Sequence, residues 1–241
     1  FPIYQSATFR HPGPGQSTGY DYSRSENPTR EQVEYKIAEL EGGKAGFAFS
    51  SGMAAISAVL SLFSPGDHII VSDDLYGGTY RLFEHVYRRY GLEFSYEDTS
   101  NLRNVEAAIQ PNTRAFFVET PSNPMMKVTD LRGITNIAAG IGAATIVDNT
   151  FLTPYFQQPL ALGADVVVHS GTKYLGGHND TLAGFVIVNS EERAEEIKLL
   201  QKSVGATLAP FDSWLILRGL KTLGVRLYKQ QANAFAIAEY L

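Results

Sequence analysis

The 241-residue chain contains no cysteine, which excludes a disulfide framework and thiolate chemistry and fits a reducing, cytoplasmic setting. It has no apolar run near the ~18 residues that suggest a membrane-spanning helix. It also lacks any block of one charge: 20 basic and 25 acidic residues give a net charge of −5, and the basic ones are scattered. The electrostatic footprint of a nucleic-acid binder is therefore missing, and any recognition of phosphate must be local. There is no internal repeat and no low-complexity tract. His68, His169 and His178 show no metal-ligand spacing, so no metal site is expected and the three read as structural. The chain starts at Phe1 rather than methionine and ends at Leu241 within a helical pattern. Both ends read as trimmed.

What the chain does have is 44% hydrophobic residues, enough to bury one large domain, or one domain and the start of another. Residues 1–27 are rich in Pro, Gly, Ser and Tyr with no sustained period, and read as an extended arm. Asn27-Pro28 then supplies a cap and a first-turn proline, and Val33, Ile37 and Leu40 recur at helical spacing until Gly42-Gly43. Short β-branched or aromatic runs at 46–49, 68–72, 92–97, 115–119, 144–148, 166–169 and 182–188 predict seven buried strands. Helical patterns at 53–63, 75–90, 101–109 and 130–141 lie between them. Such alternation predicts an α/β fold, a mostly parallel seven-stranded sheet covered by helices. Beyond residue 190 the pattern is helical, with Glu191-Glu192 opening one helix, Asp212 before Trp214 opening another, and Gly219 and Gly224 bending or interrupting the last. The expected division is an arm and first helix over 1–45, an α/β cofactor domain over 46–220, and the start of a helix over 221–241 that leads into a largely absent C-terminal domain.

Lys173 and Asp148 are the candidates for chemistry. Lys173 follows an apolar run in Ser170-Gly171-Thr172-Lys173, where a desolvated amine would attack a carbonyl and later act as a base. Asp148 ends another apolar run. Alone, the first would read as a solvated strand end and the second as a helix cap. Together they are the minimum for a pyridoxal phosphate (PLP) enzyme, which needs an amine for a Schiff base and an anion for the pyridinium nitrogen. Open α/β sheets bind ligands at the carboxyl ends of strands, which puts Ser51, Asp148 and Lys173 in one crevice. Ser51-Gly52-Met53 opens a helix, and free amides there form an anion site. Tyr76, in Asp74-Leu75-Tyr76-Gly77-Gly78-Thr79, has one ring face left uncovered by glycines. Its plain reading is a surface tyrosine; its functional one is a ring stacked on a planar cofactor, with a hydroxyl able to assist proton transfer. Tyr22 and Arg24 in the arm can reach one phosphate, and an arm without a core docks more readily on a neighbouring subunit.

Two other motifs fail. Ser170-x-x-Lys173 matches the start of a penicillin-recognising acyl enzyme, but Ser72-Asp73-Asp74 and Lys221-Thr222-Leu223 are not the Ser-Asp-Asn and Lys-Thr-Gly elements such enzymes need. Gly140-Ile141-Gly142 ends a helix instead of following a strand, so it is not a dinucleotide fingerprint.

The ordered segments Tyr22-Ser23-Arg24, Asn27-Pro28-Thr29-Arg30, Ser51-Gly52-Met53, Tyr76-Gly77-Gly78-Thr79, Glu119-Thr120-Pro121-Ser122-Asn123-Pro124, Val147-Asp148-Asn149-Thr150 and Ser170-Gly171-Thr172-Lys173-Tyr174 resemble the transsulfuration family of PLP enzymes. That family includes cystathionine γ-synthase, cystathionine β- and γ-lyases and methionine γ-lyase. The resemblance implies PLP fold type I, like aspartate aminotransferase. It implies Lys173 as the Schiff-base lysine, Asp148 as the pyridinium partner and Tyr76 as the stacking ring. Gly52, Met53, Ser170 and Thr172 would form the phosphate cradle, Ser51 beside them would also be cofactor-binding, and Asn123 would lie near the cofactor hydroxyl or substrate carboxylate. Tyr22 and Arg24 would complete the neighbour's site in a tetramer of active dimers. The implied activity is a carbon–sulfur lyase of methionine and cysteine metabolism, cleaving cystathionine by β- or γ-elimination. γ-Replacement on an activated homoserine is the close alternative, and a PLP-binding regulatory module the distant one. Gly78 stands where methionine γ-lyases usually carry a cysteine, which moves that activity down. The family's substrate-carboxylate arginine would lie beyond Leu241.

Overall fold

The computed structural model describes residues 1–241. The short apolar runs become β1 (Ala45–Phe49), β2 (His68–Ser72), β3 (Glu93–Glu97), β4 (Thr113–Glu119), β5 (Ala144–Asp148), β6 (Val166–Ser170) and β7 (Gly184–Val188). They form one sheet in the order β1-β7-β6-β5-β4-β2-β3. Pairing is parallel from β3 through β6, and only β7 runs antiparallel to its neighbours. The sheet is thus mostly parallel, as the alternation predicts.

Around it lie α1 (Pro28–Glu41), α2 (Gly52–Leu60), α3 (Gly77–His85), α4 (Leu102–Ala107), α5 (Leu131–Ile141), the single turn α6 (Thr153–Phe156), α7 (Glu191–Val204), α8 (Pro210–Leu220) and α9 (Leu223–Tyr240). Alternate residues of each central strand feed opposite cores, so neither face tolerates a polar run. Val166 and Val168 pack with Ile69, Phe117 and Ile146 on one face. On the other, Val167 joins Ile37, Phe185 and Ile216, while Phe116 and Val147 meet Leu131 and Ile134. Each such side chain contributes roughly 1.5–3 kcal/mol when fully buried, which holds the strand ends of the central sheet in fixed register.

Local chemistry sets the boundaries. Asn27 caps α1 by accepting from the Thr29 and Arg30 amides, and Gly42 ends it with φ 71°, a left-handed position that glycine adopts without a Cβ penalty. Two expectations are corrected. α8 starts at Pro210 rather than at Asp212, because proline at the first helical position is already set to helical φ; Asp212 sits in the first turn and accepts from Thr181 Oγ1 at 2.7 Å. Gly224 lies inside α9 without interrupting it, and the break falls at residues 221–222. Gly219 serves contact instead, since a Cβ there would meet the Gly176 carbonyl oxygen at 2.2 Å.

Residues 1–27 hold only isolated bridges, such as Thr8 to Tyr22. The base of this arm is tied down by polar contacts rather than by a core. Asn27 Nδ2 donates to the Tyr4 carbonyl at 2.9 Å, and the buried Arg30 donates to the carbonyls of Ser23 at 2.6 Å and Ser25 at 3.0 Å. No helix is long and apolar enough to cross a membrane.

Candidate functional site

The carboxyl ends of β4, β5 and β6 and the start of α2 converge on one cleft, enclosing about 190 Å³. Ser51, Gly52, Met53, Tyr76, Asn123, Asp148, Ser170, Thr172 and Lys173 all line it. Nine of the eleven residues singled out in the sequence are brought together there. Tyr22 and Arg24 are not: Arg24 donates to the Lys202 carbonyl and stacks 5.3 Å from the Tyr22 ring centre.

The start of α2 offers a place for an anion. Ser51 caps the helix, its Oγ accepting from the Ala54 amide at 3.1 Å, and this leaves the Gly52 and Met53 amides without a partner in the chain. Both lie at the positive end of the helix dipole. A Cβ built on Gly52 would lie 3.0 Å from Ser170 Cβ, and one on Gly184 would overlap the Ser51 carbonyl oxygen at 1.9 Å. The two glycines therefore let β6, β7 and α2 approach closely enough to bring Ser170 beside the start of α2.

Asp148 is buried at the end of β5. Its Oδ1 accepts from the Thr150 amide at 3.0 Å and the Thr150 hydroxyl at 2.6 Å, which leaves Oδ2 for the cleft. Burial pushes its carboxyl up, against the pull of those two hydrogen bonds and of nearby His169. An anion so placed is satisfied by a cation presented from the cleft. Lys173 has no ion-pair or hydrogen-bond partner for its side chain and is exposed within the cleft. The desolvated setting expected for it is thus corrected: with the cleft open to water, only Gly171 and the chain around it are packed. Tyr76, 49% exposed, leans over Gly78, where a Cβ would meet its ring at 2.4 Å. A side chain at position 78 would displace the ring.

Sequence reasoning missed a second layer behind these groups. Glu119, at the end of β4, is directly paired in register with Asp148 and accepts from the Tyr76 amide at 2.8 Å. It appeared only inside a motif, and its polarity at the end of a buried strand was the available signal. His169 and Glu41 are both fully buried and meet at 2.6 Å. Asn149 Nδ2 donates to the same Glu41 oxygen at 2.9 Å, and Gln157 Nε2 donates to Asn149 Oδ1 at 2.9 Å. The two contacts to Glu41 span over 100 residues of sequence, so no local pattern could announce them. Glu41→Ala strips two buried donors of their acceptor and should lower the unfolding free energy by about 3 kcal/mol. Glu41→Gln should lose less, and thermal denaturation of both variants gives the comparison.

The donor set fits PLP: free amides and a hydroxyl for a phosphate, a buried carboxylate for a ring nitrogen, an unpaired amine for an aldehyde and an aromatic ring at the cleft mouth. No arginine lines the cleft. Over residues 1–241 the chain matches the family described as Cys/Met metabolism PLP-dependent enzyme. It is 57% identical over 240 residues to a cystathionine β-lyase of Lactococcus lactis subsp. cremoris, covering all of this chain and 63% of that protein. It is 56% identical over 240 residues to a cystathionine γ-synthase/O-acetylhomoserine (thiol)-lyase of Bacillus subtilis, covering all of this chain and 64% of that one. The crystal structure of a cystathionine γ-lyase from Lactobacillus plantarum complexed with L-serine superposes with a TM-score of 0.97 at 50% identity, over 99% of this chain and 62% of that one. The chain therefore spans less than two thirds of the length of these relatives. It belongs to the Cys/Met metabolism family of PLP-dependent enzymes.

Proposed function

We propose that the full-length protein is a carbon–sulfur lyase that cleaves cystathionine. The observation that carries this is that one unpaired amine, Lys173, and one buried carboxylate, Asp148, line a single cleft together with the anion cradle at the start of α2. When bound, PLP supplies an electron sink for the negative charge generated at a substrate Cα. Asp148 Oδ2 would hold its ring nitrogen. The Gly52 and Met53 amides and the hydroxyls of Ser170 and Thr172 would hold its phosphate, and Ser51 would fix those amides by capping α2. Asn123 would approach the ring oxygen or the substrate carboxylate.

Lys173 Nζ is the only amine in the cleft, and so is the group that would remove the proton at Cα and could pass it to the departing sulfur. Elimination at Cβ then needs only departure of the thiol. γ-Chemistry needs a further proton removed at Cβ, for which Lys173 and the Tyr76 hydroxyl both line the same space. The position of Tyr22 and Arg24 outside their own cleft supports the reading that they complete a neighbour's phosphate site, within a tetramer of active dimers. Arginine would serve there as a bidentate donor.

Relatives named for β-elimination, γ-elimination and γ-replacement are similar to this chain to nearly the same degree, so γ-replacement on an activated homoserine is the second reading. Product analysis of the full-length protein with cystathionine separates them. Pyruvate with homocysteine is the expected result and means β-cleavage; 2-oxobutyrate with cysteine means γ-cleavage. Neither product, with turnover of an O-acylhomoserine instead, would replace the lyase by the synthase.

A further inference from the structure

Two carboxyls lie side by side at the ends of adjacent strands, and one ring nitrogen needs only one of them. Glu119 and Asp148 are register partners on parallel β4 and β5, both are buried, and both line the cleft. Two like charges at neighbouring strand ends in a low-dielectric site cannot both persist at small cost.

Their surroundings decide which one is neutral. Asp148 has two hydrogen-bond donors from Thr150, and His169 on β6 adds a favourable field. Glu119 has the Tyr76 amide, with the Asn123 amide nearby, and faces two anions: Asp148 on β5 and Asp74 in the loop after β2. Asp74 is held by the Ser122 hydroxyl and, at 2.9 Å, by the Met125 amide. Lys173 and the Tyr76 phenol complete the titratable groups of the cleft.

We propose that Glu119 carries the one proton held between these carboxyls, leaving Asp148 as the single anion for the cofactor ring, and releases it to solvent when the cofactor binds. Burial, and then the Asp148 charge, push the Glu119 carboxyl up to about 8 from an ordinary 4.5. A pyridinium beside Asp148 replaces the second of these repulsions with an attraction, so the Glu119 proton is held less tightly in the loaded site. Linkage makes the converse hold: cofactor affinity gains with rising pH through this window, by way of Glu119. Glu119 is a positioning residue here. It also ties Tyr76, at the start of α3, to the end of β4.

This inference rests on Asp148 meeting the ring nitrogen, and its test keeps the two apart. Proton exchange on adding PLP to the full-length apoprotein is measured at pH 7 by calorimetry in buffers of different ionisation enthalpy, for the wild type and Glu119→Gln. Glutamine still accepts the Tyr76 amide, and protons exchanged by the cofactor and Lys173 are common to both proteins. The wild type should release more, by up to about one proton, and the difference should vanish above about pH 9, where Glu119 is already ionised. Equal release at pH 7 overturns the proposal. If the variant does not fold, infrared spectroscopy of the wild-type apoprotein decides: a protonated-carboxyl band at pH 7 that fades on adding PLP supports it, and no such band overturns it. Asp148→Asn serves as the separate control. Retention of wild-type cofactor affinity there defeats the Asp148 reading, whatever the proton count for Glu119.

Discussion

Lys173→Ala should abolish the Schiff-base absorbance of the cofactor-loaded protein and lower turnover by at least about 10³-fold, the scale of losing a nucleophile and a general base at once. The size follows from the cleft having no substitute. Lys173 is the only lysine among its lining residues, no arginine is present, and its ammonium is committed to no carboxylate in the fold. The backbone that places it is independent of its side chain. The turn after β6 is closed by the Gly171 amide donating to the Ala183 carbonyl at 2.8 Å and the Gly176 amide donating to the Gly171 carbonyl at 2.9 Å. Gly171 itself is packed so tightly that a Cβ would meet the Phe185 ring at 2.5 Å. The alanine variant should therefore keep wild-type stability without cofactor. It should also still bind PLP, through the α2 cradle and Asp148, but without covalent attachment. Thermal denaturation of the apoprotein and an absorbance titration measure the two parts. Schiff-base absorbance that survives in the variant, distinct from that of the unattached aldehyde, would move the attachment point to another amine.

The split between what was legible in the sequence and what was not follows from physical range. β2 and β5 were readable to the residue because both faces of the sheet are covered, so the whole strand is apolar and its ends are marked by the first polar groups. The polar residue ending β5 is Asp148, and it was found for that reason. Helix starts were readable where local chemistry marks them, as at Asn27, at Ser51 and at Glu191-Glu192. They were misjudged where tertiary contacts took over. At α3 the Tyr76 amide is turned to Glu119, so the helix starts at Gly77, two residues after its apolar pattern does. Cleft residues drawn from strand ends and α2 lie within a few residues of a local signal. Glu41 and His169 are 128 residues apart, and nothing in either neighbourhood encodes the meeting.

Asp148→Asn should weaken PLP binding by about 10²–10⁴-fold, the equivalent of the ~3–5 kcal/mol lost when a buried charge is deprived of its partner. Asparagine preserves the shape. Its Oδ1 still accepts from the Thr150 amide and hydroxyl, so the end of β5 should not move. What it removes is the anion. The consequences for stability carry opposite signs in the two states, which separates a functional charge from a structural one. In the apoprotein the Asp148 carboxyl is pushed up by burial. The folded chain therefore binds more protons than the unfolded one above the ordinary aspartate value of 3.8, and Asp148 makes stability fall as pH rises from there. Asparagine abolishes that contribution, so at pH 8 the variant apoprotein should melt at or above the wild-type temperature. With PLP added the order should reverse, because ligand stabilisation grows as RT ln(1 + [L]/Kd) and a 10²-fold weaker Kd forfeits about 2.7 kcal/mol of it. A variant that melted lower in both states would make Asp148 a packing residue. One that melted alike in both would take the ring nitrogen away from it.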